Sequence, residues 1–276
     1  MKHTTYPFLA ILVVALVFGS GIPARAQGEI TLMAAGPTRR PTERIVANFQ
    51  AKTGLTVNVT FVNGVATRQM VARGQPQDVS LIIAPFPAAV ASRTIDVSSA
   101  TPVASLVWVL AVPTGALAPD ISTPDAVRKA LLAAKSIGYE DPDFTVAGQG
   151  PWEALTTLGI ADQVAAKSKI ELGPGSQGID LSATDAVVKT ITRLEDGNID
   201  IALHDLNDLI ANQDNYQIVG VLPREIATPT PIVGFLSTRA KDNADAKALL
   251  QYLASPEAQV IWKEGGLGAP EKWPMN

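Results

Sequence analysis

The sequence contains no cysteine. That absence excludes disulfide frameworks, thiolate zinc sites, thiol nucleophiles and an amino-terminal cysteine that could carry lipid. Histidine is almost as scarce. Of the 2 present, His3 lies in a leader segment described below, which leaves His204 alone. One histidine and no thiol leave any metal site to carboxylates. The acidic pair Asp205 and Asp208, with Asn207 between them, reads as an exposed turn with a helix cap rather than a cation cage. There is no phosphate-binding glycine loop of the Walker type and no Ser-His-Asp signature. The glycine-rich run 173–178 (GPGSQG) lacks the long strand and helix start that a dinucleotide site needs, so it reads as a loop. No metal and no cofactor are therefore expected. Long apolar runs are lacking too. The stretch 103–112 is followed by Pro113 and Gly115, and the longest uninterrupted run, residues 8–18, is about half of the ~20 residues that cross a bilayer.

What is present begins with that short run. Lys2 and His3 precede it, and small residues close the segment at Ala24, Arg25 and Ala26. This is the pattern of a secretory signal cleaved near Ala26, with a soluble mature chain exported to the periplasm. The segment holds two basic and no acidic residues, so the remainder carries 20 basic against 26 acidic side chains, a formal charge of −6. A nucleic-acid partner, which wants a basic face, is disfavoured by that balance, and no nucleic acid is expected. Any anionic ligand must find its donors locally. The remaining 250 residues are enough for one large or two medium domains.

Short β-branched runs alternate with stretches of helical period, the mark of βα units and a largely parallel sheet. Strands are expected at 30–35, 55–62, 79–84, 136–139, 170–172, 199–203, 216–222 and 232–237. Helices are expected at 43–52, around Thr67 to Val71, and at 124–134, 150–158, 161–166, 185–194, 244–253 and 256–263. Thr123 and Pro124 suit the cap and first position of their helix. The carboxy-terminal tail has no strand-helix series of its own, so it should fold back on the first half. The chain would then cross between two lobes twice, near 107–112 and 229–235, and the two extended crossings would act as a hinge. The expected division is a signal peptide at 1–26, one lobe from 27–108 with 231–276, and the other from 109–230. The fold class is α/β, with two Rossmann-like domains.

The runs 30–36 (ITLMAAG), Phe49 with Thr53 and Gly54, 57–62 before a turn with Arg68 and Gln69, and Gly74, Pro76, Asp78 and Val79 resemble type II periplasmic solute-binding proteins. The likeness is to the molybdate-binding component of ABC transporters. The second half, through 120–126 (DISTPDA), 129–137 (KALLAAKSI), 158–165 (LGIADQVA), 220–223 (GVLP) and 253–258 (LASPEA), is similar to periplasmic aconitate isomerase-like proteins of the same superfamily. The resemblance spans nearly the whole mature chain. It implies a ligand cleft on loops at the carboxyl ends of strands and at helix N-termini, where free N–H groups favour negative charge.

Carried over position by position, the resemblance points to Gly36, Pro37 and Thr38, to Asn63 and Gly64, to Ala147, to Val187, and to His204 and Asp205. Pro37 stands where molybdate binders place a serine and has no donor, and Asp205 stands where they carry a tyrosine and would repel an oxyanion unless protonated or paired. Arg39, Arg40 and Arg68 are the cations available to grip a carboxylate in bidentate fashion. The implied function is capture of a small anion, an organic carboxylate or a molybdate-type oxyanion, by a monomer that hands it to an ABC permease. Two alternatives remain open. One is an isomerase moving a proton in a tricarboxylate, for which His204 is the candidate base; the other is a ligand sensor for a membrane kinase. Adjacent strand residues point to opposite faces, so His204 and Asp205 should not share one side. Trp152, Trp262 and Trp273 are candidates for stacking on a ligand or for the core.

Overall fold

The structure is a computed structural model that describes residues 28–171, 198–210 and 216–272. The leader, the 173–178 loop, the expected helix at 185–194 with Val187, and Trp273 lie outside the described residues.

Among the described residues ten strands form two sheets of five. The first sheet has the order β2-β1-β3-β10-β4, built from β1 (Glu29–Ala35), β2 (Thr56–Val62), β3 (Val79–Ile83), β4 (Thr101–Leu106) and β10 (Thr230–Leu236). The second has the order β7-β6-β8-β5-β9, built from β5 (Trp108–Pro113), β6 (Ile137–Glu140), β7 (Ser168–Glu171), β8 (Ile201–Asp205) and β9 (Tyr216–Val221). One plan serves both. β1 runs parallel to β2 and β3, as β6 does to β7 and β8, and β10 and β5 then add antiparallel to their sheets. Each sheet with its helices makes one lobe of an α/β protein. Expected strand ends agree with these to within two residues. The apolar run around Val107 divides differently from a single extended crossing. Val107 alone separates β4 in one sheet from β5 in the other, and residues 222–229 make the return.

Two helices begin earlier than their sequence pattern predicts, each for a reason involving proline. Helix α1 (Arg39–Thr53) starts four residues ahead of the expected 43. Pro41 sits in its first turn, where no backbone N–H is needed, so the residue that reads as a breaker is harmless. Its end is as expected: Gly54 adopts φ 72° and donates its N–H to the Gln50 carbonyl. Helix α5 (Val146–Thr157) starts at 146 rather than 150 because Thr145 caps it, and Pro151 is carried inside the helix. The remaining elements are α2 (Gly64–Ala72), α3 (Pro87–Ala91), α4 (Pro124–Ala133), α6 (Ala161–Ala165), α7 (Leu206–Ile210), α8 (Ala244–Leu253) and α9 (Pro256–Glu264). At α4 the Thr123 hydroxyl accepts the Ala126 N–H at 3.1 Å, as the sequence predicts.

The carboxy-terminal helices return to the first lobe. Helix α9 packs on α1, Arg44 pairs with Glu264 at 2.9 Å, and Gln259 Nε2 ties α9 to β4 by donating to the Val103 carbonyl at 2.8 Å. Trp262 is fully buried, and its indole N–H donates to the Leu253 carbonyl at 2.9 Å. It belongs to the core and not to a ligand site. Trp262→Ala should lower unfolding stability by about 3–5 kcal/mol, since a large cavity opens and a buried acceptor loses its donor. Urea unfolding would check this; a loss under ~1 kcal/mol would mean that α9 contributes little to the first lobe.

Candidate functional site

Parallel strands put the loops that follow them on one edge of each sheet, and here the two edges face each other. From the first lobe come the short 3-10 turn Gly36–Thr38 leading into α1, and Asn63 with Gly64 at the start of α2. From the second come the 141–145 loop leading into α5, and His204 to Asp208 where β8 passes into α7. Asn63 Oδ1 accepts the Ala66 N–H at 2.8 Å and so caps α2, while its Nδ2 donates to the Phe144 carbonyl of the other lobe at 3.4 Å. Thr145 Oγ1 accepts the Gly148 N–H at 3.0 Å and caps α5. Gly64 makes the approach possible: a Cβ there would lie 2.7 Å from the Val146 side chain. A third link runs from Asn207 Nδ2 to the Pro37 carbonyl at 2.7 Å. Pro37 has no donor to offer, but its carbonyl joins the lobes.

The geometry brings some of the candidates together and not others. Gly36, Pro37, Asn63, Gly64, Ala147 and Arg68 stand at the junction of the lobes. The Thr38 hydroxyl turns inward and donates to the Ala35 carbonyl at 2.7 Å. Arg39 is exposed on the side of α1, 3.6 Å from Glu43 and 4.4 Å above the Phe61 ring. Arg68 is half-buried. It donates from Nε to the Gly64 carbonyl at 3.4 Å, from Nη1 to the Pro85 carbonyl at 3.0 Å, and from Nη2 to Gln149 Oε1 of α5 at 2.8 Å. Burial lowers its pKa, though an arginine at this depth stays charged. Among the described residues it has no ion pair.

Behind this junction lies a buried charged triad that the sequence did not announce. His204 and Asp205 are 0% exposed and Glu140 1%. His204 Nε2 is 3.1 Å from Glu140 Oε1, and Nδ1 is 3.3 Å from Asp205 Oδ2. The side chains of 204 and 205 meet, against the alternation expected of a strand, because Asp205 is its last residue before the chain turns into α7. Burial alone would push the His204 pKa down. The carboxylates of Asp205 and Glu140 outweigh burial and hold it well above its usual value, which favours the charged form of the ring. Its Nε2 meets Glu140 Oε1, while Nδ1 lies near Asp205 Oδ2 and 3.0 Å from the Asp205 backbone N–H.

The same pairing changes the meaning of Asp205. Its Oδ1 accepts the Asp208 N–H at 3.1 Å and its Oδ2 faces His204, so the negative charge at this position is compensated inside the lobe. The repulsion it implied for an oxyanion is thereby reduced. Asp208 is not in an exposed turn. One of its carboxylate oxygens, a ring nitrogen of His204 and a carboxylate oxygen of Asp205 lie within 4.8 Å of one another. Burial, with Asp205 and Glu140 nearby, raises the Asp208 pKa well above the usual carboxylate range, against the opposing pull of His204 and Arg40. Of the residues missed from sequence, Thr145 carried a signal, a threonine three places before a glycine at a helix start. Glu140, Gln149 and Asn207 carried none that separates them from surface polar residues.

Comparison with known proteins agrees with this geometry. The sequence profile of the bacterial extracellular solute-binding protein family matches residues 30–268. The chain is 24% identical over 270 residues to an aconitate isomerase of Pseudomonas sp., covering 95% of each chain. It is 22% identical over 247 residues to the molybdate-binding protein ModA of Escherichia coli strain K12, covering 87% of this chain and 89% of that one. The solved periplasmic molybdate-binding protein of Azotobacter vinelandii superposes with a TM-score of 0.64 at 17% identity, over 88% of this chain and 100% of that one.

The triad makes stability depend on pH in a stated direction. A histidine whose folded pKa is raised contributes stability that is complete below its unfolded value, about pH 6.5, and is lost as pH rises through the folded value. His204→Gln should therefore cost about 3–5 kcal/mol at pH 6, where two buried carboxylates lose their counter-ion, and less at pH 9. Urea unfolding of both proteins at the two pH values checks the sign; a gap that widened toward pH 9 would mean the ring is neutral in the folded state.

Proposed function

The chain belongs to the bacterial extracellular solute-binding protein family, and from that premise we propose that it is a periplasmic receptor that captures a small anion between its lobes and passes it to an ABC-type permease. Export by the leader ending near Ala26 and a monomeric state belong to this reading, as does a division into lobes at 27–108 with 231–276 and at 109–230. Among the described residues no helix is long and apolar enough to cross a membrane.

The observation that carries the reading is the facing of the α2 and α5 N-termini across the junction, beside the first turn of α1 and the charge of Arg68, which has no ion pair among the described residues. Each helix start presents backbone N–H groups and the positive end of its dipole, so an anion placed there gains from several directions at once. These donors suit a carboxylate or an oxyanion equally. With Asp205 paired, the molybdate type is as acceptable as the carboxylate type. The likeness to an aconitate isomerase along 95% of both chains favours a second reading, movement of a proton between two carbons of a small tricarboxylate. In that reading His204 remains the candidate proton carrier, with Glu140 and Asp205 beside its two nitrogens.

Thermal unfolding of the mature protein against molybdate, tungstate, sulfate, phosphate and small di- and tricarboxylates tests both. A native-state ligand at a hundred times its Kd adds about 2.7 kcal/mol. At least one anion should raise the midpoint, and a panel without a shift would remove the receptor reading. Adding cis- and trans-aconitate separately and following their interconversion separates receptor from isomerase. Gly64→Ala should weaken the responding anion at least about tenfold with the ligand-free midpoint unchanged, because the new methyl meets Val146 and wedges the lobes apart.

A further inference from the structure

Among the described residues, the arginines and lysines that form ion pairs do so at the surface: Arg39 with Glu43, Arg44 with Glu264, Lys52 with Glu257 and Arg224 with Glu271. Arg68 differs from them in two ways. It is half-buried, and all three of its acceptors are neutral oxygens. Two of them, the carbonyls of Gly64 and Pro85, belong to its own lobe and fix the guanidinium plane. The third, Gln149 Oε1, belongs to the other lobe and stands one turn into α5. The bond between Nη2 and Gln149 therefore exists only while the lobes are together. It also sits directly behind the two helix N-termini that face each other at Gly64 and Val146.

A neutral amide is a telling partner for a buried guanidinium. A glutamate in its place would hold the fork more strongly and would also cancel its charge. The glutamine holds the fork and leaves the charge in place, where it adds to the positive ends of α2 and α5. Building on the receptor reading, we propose that Arg68 and Gln149 form the latch that closes the cleft, and that the uncancelled charge of Arg68 makes closure selective for an anion. Arg68 acts here as a positioning residue whose field, rather than direct contact, reaches the ligand.

Two measurements on the mature protein separate the halves of this proposal. Small-angle scattering without ligand reports closure. Arg68→Gln and Gln149→Ala should give a larger radius of gyration than wild type, while Gln149→Glu should stay as compact as wild type. Equal radii for all four proteins would overturn the latch. Calorimetric titration with molybdate and with trans-aconitate reports the charge. Gln149→Glu should lose about tenfold or more in affinity for whichever probe wild type takes, despite staying closed, whereas a latch that acted by contact alone would make this variant bind more tightly. Wild-type affinity in Gln149→Glu would overturn the role of the charge. A wild-type protein that takes neither probe would overturn the role of the charge, while the scattering comparison still decides the latch.

Discussion

In a parallel sheet every strand is followed by a crossover that leaves from its carboxyl end, so the loops gather on one edge. This chain does that twice, with β1 and β2 in one sheet and β6 and β8 in the other, and then ties the sheets together through Val107 and residues 222–229. The two loop-bearing edges have nowhere to go but toward each other. Every polar feature of the junction follows from that arrangement. The starts of α1 and α2 arrive from one side and the start of α5 from the other, and the short turn at 205–208 closes the remaining gap.

The chain is acidic overall, and buried charges at the junction are handled in two different ways. A bare carboxylate at 205 would oppose an anion. Instead, the fully buried His204 ring lies between Asp205 and Glu140, so the carboxylate at 205 has a partner inside the lobe. Burying three ionised groups is costly unless each is well paired, and the geometry here gives each nitrogen of the ring one carboxylate oxygen. The opposite choice is made at Arg68, which is desolvated without an acidic partner among the described residues. His204 offsets part of the negative charge at one site, while Arg68 meets only neutral oxygens among the described residues at the other.

Much of the fold was legible because strand and helix periods are local properties. The alternation of runs, the Thr123 and Pro124 start of α4 and the Gly54 stop of α1 can all be read from a few neighbouring residues. Two helices start earlier than their apolar period suggests, α1 with Pro41 in its first turn and α5 with Pro151 inside it and a threonine cap upstream. For the site, the loops could be placed because strand ends could be placed. The partners could not. His204 and Glu140 are 64 residues apart, Arg68 and Gln149 are 81, and Asn207 and Pro37 are 170. No period or spacing reports which of many polar residues will meet across such distances.

This division between backbone and side chain bears on how one scaffold serves differently named relatives. The N–H groups at a helix start are present in any sequence that forms and caps the helix, so the preference for negative charge comes with the fold. It does not require particular side chains to be shared. Choice among anions then falls to the few side chains that reach the junction: what stands at 37 and 63, what pairs 205, and what holds 68. A serine at 37 would give a hydroxyl donor, and the proline gives only a carbonyl, already taken by Asn207. Asn63 commits its oxygen to capping α2 and its amide to the other lobe. On the receptor reading, with side-chain donors this few among the described residues, an anion in the cleft would be held chiefly by backbone N–H groups, with Arg68 adding its charge from behind them.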